Sequence, residues 1–174
     1  MDFAAFAASV FAETRDLAAA NARDEALCEA LARVAEACAG ALAGGGRILT
    51  FGNGGSMCDA SHFAEELTGR YRKDRRPLAA MALNDPGHIT CTANDFGYDQ
   101  IFARGVVAHA RRGDVVIGFS TSGNSANVIE AIRAAHDNDL RVVALTGKGG
   151  GKIGEMLREE DIHICVPAER TAAD

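Results

Sequence analysis

Apolar positions recur at helical spacing over the first 43 residues of the chain. The first stretch has its large apolar side chains on one stripe of a helix: Phe3, Phe6, Val10 and Leu17. From Leu27 to Leu42 apolar side chains again recur at intervals of three and four residues, and Gly44-Gly45-Gly46 ends this pattern. The sequence therefore predicts two amphipathic helices ahead of the first strand.

Five short apolar runs follow, and each is typical of a strand that is buried on both faces. They occupy residues 47–51, 78–83, 115–119, 141–146 and 162–166, with helical segments at about 56–70, 98–110, 125–137 and 151–158. Strands that alternate with helices form a parallel sheet covered on both sides. The prediction is an α/β protein: a three-layer αβα sandwich with a five-stranded, mainly parallel sheet. Residues 1–174 show no linker or repeat and are expected to form one domain.

Composition and charge narrow the class of protein. With 174 residues, 48 % hydrophobic and 24 % charged, the chain has the values of a globular domain. Its net charge of −6 disfavours nucleic acid and anionic membranes as partners. No apolar run reaches the ~18 residues of a spanning helix, and the first residues do not resemble a secretory signal. These observations together lead us to expect a cytoplasmic protein. Separately, the five cysteines, which include no C-x-x-C pair, are expected to be free thiols.

Two polar loops follow predicted strands at points where a helix begins. The first is Gly52-Asn53-Gly54-Gly55-Ser56, and the second is Ser120-Thr121-Ser122-Gly123-Asn124-Ser125. Glycines allow close backbone approach to a ligand, and helix N-termini and hydroxyl groups bind phosphate oxygens. Either loop alone is also what a tight turn with a serine N-cap looks like. Their pairing at one edge of a parallel sheet favours a phosphorylated ligand. Neither loop has the nucleotide-binding pattern G-x-x-x-x-G-K-[ST] or G-x-G-x-x-G.

Candidate metal ligands and further ligand contacts follow the first loop. His62 and Glu66 are four residues apart on one helix face, where imidazole and carboxylate suit zinc, although a solvated polar face has the same appearance. Arg70, four residues beyond Glu66, is the cation of the basic segment 70–76 that we expect to face the ligand. The polar break 94–98, which includes Asn94 and Asp95, is predicted to be either an N-cap and turn or part of the binding site.

These motifs resemble the bacterial phosphoheptose isomerase family, whose fold is the sugar-isomerase (SIS) domain. The resemblance rests on the following segments: the first loop, Cys58-Asp59-Ala60, His62 to Arg72, Asn94 to Tyr98, Ser120 to Asn127, and Leu145 to Lys148. It implies interconversion of sedoheptulose 7-phosphate and D-glycero-D-manno-heptose 7-phosphate, the first step towards the heptose of the lipopolysaccharide core. It also implies a cytoplasmic homotetramer with active sites between subunits, one zinc ion per subunit, and N-terminal helices (1–43) used in oligomer packing.

The resemblance also assigns roles to residues. It places Ser120, Thr121, Ser122 and Ser125 at the phosphate. It places Asn53, Gly54, Gly55, Ser56, Asn94 and Asp95 at the sugar, with Arg70 and Asp174 among the substrate contacts. His62 and Glu66 are implied zinc ligands, and Glu66 is the implied catalytic base.

The family continues after the aspartate that Asp174 matches with an R-I-Q-E-x-H segment on a final helix. A glutamine and a histidine of that helix complete the zinc site, so the resemblance implies that residues 1–174 hold half of the ligands and one of two acid/base groups. Other functional classes are a non-catalytic SIS protein of the type that associates with the replication initiator, another sugar-phosphate isomerase, and a phosphosugar-sensing regulator. Retention of both His62 and Glu66 argues against the non-catalytic class.

Overall fold

The computed structural model describes residues 2–167 of the chain. Its elements, in chain order, are α1 (Phe3–Asn21), α2 (Glu25–Ala43), β1 (Ile48–Gly52), α3 (Gly55–Thr68), β2 (Ala80–Ala82), α4 (Pro86–Phe96), a 3-10 turn (Tyr98–Gln100), α5 (Ile101–His109), β3 (Val115–Ser120), α6 (Ala126–Asp137), β4 (Arg141–Thr146), α7 (Gly151–Met156) and β5 (Ile162–Cys165). Within these residues, no helix combines the length and apolar character needed to cross a lipid bilayer.

The strands form one sheet in the order β2-β1-β3-β4-β5, and each neighbouring pair is parallel. The chain leaves β1 towards β2 on one side and later returns to place β3 on the other side. The β1/β3 pair is therefore the topological switch point, the place where open α/β sheets bind ligands beyond the carboxyl ends of their strands.

Alternating side chains of β1 show why helices cover both faces of the sheet. Leu49 and Phe51 belong to the core under α4, α5 and α6, where the Phe51 and Phe102 rings stack with centroids 5.5 Å apart. Ile48 packs into a second core with α2 and α3, and the Thr50 hydroxyl donates to the Ala60 carbonyl oxygen of α3 at 2.7 Å. The predicted three-layer αβα sandwich is confirmed.

The two predicted N-terminal helices are also confirmed, and they pack very differently. Asp2 and Asp24 cap α1 and α2 by accepting hydrogen bonds from first-turn backbone N–H groups. Helix α2 packs on the sheet and buries Ala37. Helix α1 buries no residue, and its Phe3 and Phe11 side chains are about three-quarters exposed. Oligomer packing of residues 1–43 stays a prediction.

One helix, α4, is missing from the sequence-based prediction. Asn94, Asp95 and Phe96 form its last turn, so the prediction of a polar break over residues 94–98 is wrong for these three. The helix begins because the Asp85 carboxylate accepts from the His88 backbone N–H at 2.7 Å and Pro86 occupies the first turn. Thr92 is the one residue that this helix buries, and Ile89 and Ala93 pack against the core while only partly buried, so the apolar repeat of α4 is short. The other predicted helices and strands differ from the observed bounds by at most three residues.

Candidate active site

The two polar loops leave the sheet side by side. Gly52, the last residue of β1, pairs with Phe119 of β3, so residues 53–56 and 121–125 start from the same edge. A Cβ atom on Gly52 would lie 2.9 Å from both the Phe119 carbonyl oxygen and the Ser56 Cβ. Glycine is therefore required at this position for the two loops to approach each other.

In the described part of the chain, the helices that follow these loops begin without a side-chain cap hydrogen bond, as α5 and α7 also do. Asp2, Asp24 and Asp85 cap α1, α2 and α4 with their side chains. Helices α3 and α6 begin after Gly54 and Ser125, and within residues 2–167 neither has a side-chain cap hydrogen bond. Their first-turn N–H groups and positive dipole ends are thus available to an anion at the β1/β3 switch point.

Hydroxyl groups of the second loop surround the start of α6. The buried Ser120 places its Oγ 3.1 Å from Ser125 Oγ, and Ser122 Oγ accepts from the Asn124 backbone N–H at 3.2 Å. Thr121 and Ser122 are exposed. Since a hydroxyl that accepts a hydrogen bond can still donate one, Ser122 retains a proton for a phosphate oxygen.

The loop between β4 and α7, together with the start of α7, forms hydrogen bonds that hold the second loop in place. We call it the bracing loop. The Gly147 N–H donates to the Thr121 carbonyl at 3.0 Å, and the Ile153 N–H donates to the Gly123 carbonyl at 2.9 Å. Asn124 Oδ1 accepts from the Lys152 N–H at 3.2 Å. These bonds fix the backbone of the hydroxyl-bearing loop before any ligand arrives. Leu145 to Lys148 resemble a family motif in sequence, but nothing in that motif indicates this bracing role.

Asn53 connects the first loop to α6 through a reciprocal pair of amide hydrogen bonds. Its Nδ2 donates to Asn127 Oδ1 at 2.8 Å, and Asn127 Nδ2 donates to Asn53 Oδ1 at the same distance. The Tyr98 hydroxyl donates to Asn53 Oδ1 at 3.1 Å. Neither Asn127 nor Tyr98 was among the predicted site residues. The available signal was the position of Asn127, two residues after Ser125 in the first turn of α6.

His62 and Glu66 lie together on α3, as their spacing predicts. His62 Nε2 is 3.2 Å from Glu66 Oε1, and 3.8 Å from an oxygen of the neighbouring Glu65. Among residues 2–167 this is the one group of three acidic, His or Cys side chains close enough together to hold a metal ion. The His62 side chain is 69 % exposed and that of Glu66 is 33 % exposed, so both can reach a ligand or a second subunit.

The remaining predicted contacts, Arg70, Asn94 and Asp95, form local hydrogen bonds in the structure. Arg70 lies just beyond the end of α3 and pairs with Asp74 at 2.8 Å. Arg75, not Arg70, interacts with the end of α3, where it donates to the carbonyl oxygen of Glu66 at 2.6 Å. Asn94 Nδ2 donates to Asp95 Oδ1 at 2.7 Å, with both side chains exposed. Asp174 lies outside the described residues.

Burial shifts the pKa of two side chains, His163 beside the loop after β4 and Cys38 on α2. His163 lies under the bracing loop with Nε2 2.7 Å from Thr146 Oγ1, and desolvation lowers the pKa of its imidazole below the usual value. It therefore acts near neutral pH as an uncharged hydrogen-bonding group. Burial on α2 raises the pKa of the Cys38 thiol, which favours the unreactive protonated form. All five cysteines are free thiols.

A match to a known domain family identifies the class of protein to which this chain belongs. The sequence profile of the SIS domain matches residues 11–147 of this chain, a range that contains both polar loops and the His62/Glu66 pair. The fold and the site thus define a sugar-isomerase domain.

Similar individual proteins identify the family within this class. The phosphoheptose isomerase of Dechloromonas aromatica is 53 % identical over 143 residues, which cover 82 % of this chain and 73 % of that protein. The solved structure of a phosphoheptose isomerase from Neisseria gonorrhoeae superposes with a TM-score of 0.91 at 45 % identity, covering 98 % of this chain and 90 % of that one. The Francisella tularensis phosphoheptose isomerase gives 0.94 at 35 % identity, covering 99 % and 90 %. This chain belongs to the phosphoheptose isomerase family, and it is an isomerase.

Proposed function

We propose that this chain interconverts sedoheptulose 7-phosphate and D-glycero-D-manno-heptose 7-phosphate. The observation that carries the proposal is the pair of uncapped helix N-termini beside a hydroxyl-rich loop at the β1/β3 switch point, in a chain of the phosphoheptose isomerase family. Relatives with that name at 50–57 % identity disfavour the non-catalytic SIS alternative. In this proposal the reaction supplies the heptose used for the lipopolysaccharide core.

The phosphate group is held by the second loop. Ser120, Thr121, Ser122 and Ser125 supply hydroxyl donors, and the first-turn N–H groups of α6 supply backbone donors. The bracing hydrogen bonds from Gly147 and Ile153 hold this loop in place, so less ordering is required when the phosphate binds.

The sugar lies over the first loop. Gly54 and Gly55 present backbone rather than side chains, and Ser56 and Asn53 add polar groups at the start of α3. Asn94 and Asp95, exposed at the end of α4, complete the predicted sugar contacts. The Tyr98–Asn53 hydrogen bond brings the segment after α4 to the first loop, which supports this placement.

Glu66 is the proposed base. In the ketose-to-aldose direction its carboxylate removes a proton from C1, the C–H electrons form the C1=C2 bond of a cis-enediol, and the carbonyl oxygen at C2 takes up a proton. Collapse of the enediol moves the O1 hydrogen away, forms the C1 aldehyde and places a proton on C2. Because Glu66 Oε1 faces His62, Oε2 is the oxygen available for the proton.

His62 and Glu66 are also the proposed zinc ligands on this chain. Imidazole nitrogen and carboxylate oxygen are donors that zinc accepts, and their atoms lie close enough together to share one ion. Zinc bound there would act as a Lewis acid that stabilises negative charge on the substrate oxygens. Two protein ligands leave the coordination sphere open for groups from outside residues 2–167.

The proposed assembly is a homotetramer with active sites between subunits. Glu66 is ten residues beyond Ser56 on α3, which at about 1.5 Å per residue separates it from the first loop by about 15 Å. Across this gap Glu66 acts on a sugar that is bound by the first loop of a second subunit, which places each active site between subunits. The unburied apolar side chains of α1 supply a surface for subunit packing. Free cysteines and a phosphorylated substrate support a cytoplasmic location.

The direct test is an isomerase assay on the full-length protein. Sedoheptulose 7-phosphate is the substrate, unphosphorylated sedoheptulose is the control for phosphate recognition, and the heptose product is separated by chromatography. The proposal expects reversible formation of the aldose from the phosphate ester alone. Binding of sedoheptulose 7-phosphate without turnover would instead support the non-catalytic alternative.

A further inference from the structure

The amide of Asn53 is held by two neighbours from different parts of the chain. Asn127 lies in the first turn of α6 with only 2 % of its surface exposed, and it exchanges two 2.8 Å hydrogen bonds with Asn53. Tyr98, from the turn after α4, adds a third bond at 3.1 Å. Three elements thus converge on one side chain of the first loop.

These bonds leave Asn53 with a single polar group to offer. A carboxamide has two acceptor sites on oxygen and two N–H donors on nitrogen. Asn127 and Tyr98 occupy both acceptor sites of Oδ1, and Asn127 takes one of the Nδ2 protons. One N–H remains, and it has no partner among residues 2–167. Asn53 is half-buried, so this proton can reach a ligand.

We propose that Asn127 and Tyr98 are positioning residues that fix Asn53 as a hydrogen-bond donor to the sugar. This inference rests on the proposed function. The substrate atom that meets Asn53 must then be an acceptor, a hydroxyl or carbonyl oxygen, because both acceptor sites of Oδ1 are occupied. Because this N–H is already oriented before binding, less conformational entropy is lost when the sugar is oriented above the first loop.

The same bonds couple the two halves of the binding site. Asn127 is two residues from Ser125, whose hydroxyl belongs to the second loop, where the phosphate is proposed to bind. Asn53 precedes the glycines of the first loop, where the sugar is proposed to bind. The Asn53–Asn127 pair therefore sets the position of the first loop relative to the bound phosphate. Its loss affects how the sugar is oriented while the phosphate contacts stay in place.

The test compares four variants of the full-length protein in the isomerase assay. Asn127→Ala and Asn53→Ala each remove one half of the pair, the double variant removes both, and Tyr98→Phe removes only the exposed hydroxyl. Asn138→Ala is the matched control, since Asn138 lies at the other end of α6 and donates to the Ala134 carbonyl on the surface. The inhibition constant of inorganic phosphate is measured for each variant as a separate readout.

Asn127→Ala is expected to lower kcat/KM by about 100-fold and to leave the phosphate inhibition constant within about twofold of the wild-type value. The double variant is expected to be no worse than Asn53→Ala, because Asn127 acts through Asn53. Tyr98→Phe, which leaves the core intact, is expected to lower kcat/KM by a smaller factor and to leave the phosphate inhibition constant unchanged. Multiplied losses in the double variant, or a parallel rise in the phosphate constant, would overturn the proposal.

An observation that does not depend on turnover separates this proposal from the isomerase activity itself. The side-chain NH2 signals of Asn53 can be assigned by NMR from their loss in Asn53→Ala. Addition of sedoheptulose 7-phosphate is expected to shift one of the two protons strongly, whereas inorganic phosphate is expected to shift neither strongly. Equal shifts of both protons, or none with the sugar phosphate bound, would refute the donor role even in an active isomerase.

Discussion

Gly123 of the second loop touches the backbone of Gly150 so closely that a Cβ atom on Gly123 would overlap the Gly150 carbonyl group. Gly123 also has a φ angle of +65°, a conformation that costs other residues about 1–2 kcal/mol. The contact joins the loop after β3 to the loop after β4. It explains why the hydroxyl groups of residues 120–125 keep a defined position at the sheet edge.

Replacement of Gly123 by alanine, compared with a control glycine, shows how much of the loss in the free energy of unfolding comes from the contact with Gly150 and how much from the positive φ angle. Gly123→Ala meets both the φ penalty and the overlap with Gly150, so we expect it to lower the free energy of unfolding by about 3 kcal/mol or more and to weaken phosphate binding. Gly149→Ala is the matched control, since its φ is +76° and no atom lies within 4 Å of the added carbon. It should cost about 1–2 kcal/mol. Equal losses in urea denaturation would show that the contact with Gly150 is unimportant.

Ser122 is predicted to contribute to substrate binding rather than to chemistry. Ser122→Ala removes a hydroxyl from the second loop, where we propose that the phosphate binds, and we expect KM for sedoheptulose 7-phosphate to rise about tenfold with kcat within about threefold of wild type. Thr90→Ala, which removes a hydroxyl that donates to the Pro86 carbonyl on the surface of α4, serves as the control. A fall in kcat at unchanged KM would contradict the assignment of Ser122 to the phosphate.

Asp161 is predicted to stabilise the fold away from the active site. Its carboxylate accepts from His136 Nε2 at 2.7 Å and from the backbone N–H groups of Val142 and Arg158 at 2.9 and 2.8 Å. Asp161→Ala leaves these buried donors without partners, which should lower the free energy of unfolding by about 3–5 kcal/mol. The exposed Asp137→Ala should change it by less than about 0.5 kcal/mol. Comparable denaturation midpoints for the two variants would refute this role.

The proposed zinc site can be tested by metal analysis. We expect His62→Ala to reduce the zinc content of the purified protein, whereas His109→Ala, which removes an imidazole at the end of α5, leaves it unchanged. A chelator should lower the activity of the wild-type protein, and added zinc should restore it. Full zinc content in His62→Ala would show that the metal binds elsewhere. Full activity of the metal-depleted enzyme would show that the reaction does not need it.

The sheet and its loops could be predicted from sequence because their determinants are local. Runs such as Val115–Phe119 are apolar throughout, as strands buried on both faces require, and parallel strands carry their C-terminal loops to a common edge. The Gly52 and Ser120 ends of β1 and β3 therefore lie at one edge of the sheet, as the sequence predicted. The i, i+4 spacing likewise placed His62 beside Glu66.

Other features depend on contacts between distant segments, which no local pattern reveals. Asn53 and Asn127 are 74 residues apart, and the buried His136–Asp161 pair spans 25 residues. Helix α4 escaped prediction because a cap and a proline define it rather than an apolar stripe. The contact of the Arg75 guanidinium with the Glu66 carbonyl oxygen likewise depends on the path of the chain after Thr68.

Substitution of Glu66 tests the central claim most directly. Glu66→Gln keeps the shape of the side chain but removes the proton acceptor, and the adjacent Glu65→Gln is the matched control on the same helix. The measurement is kcat for isomerisation of sedoheptulose 7-phosphate, together with exchange of the C1 hydrogen for solvent deuterium. We expect Glu66→Gln to lose about 10²–10⁴-fold in both rates, with KM near the wild-type value and Glu65→Gln close to wild type. Turnover and exchange in Glu66→Gln within about tenfold of wild type would contradict the account.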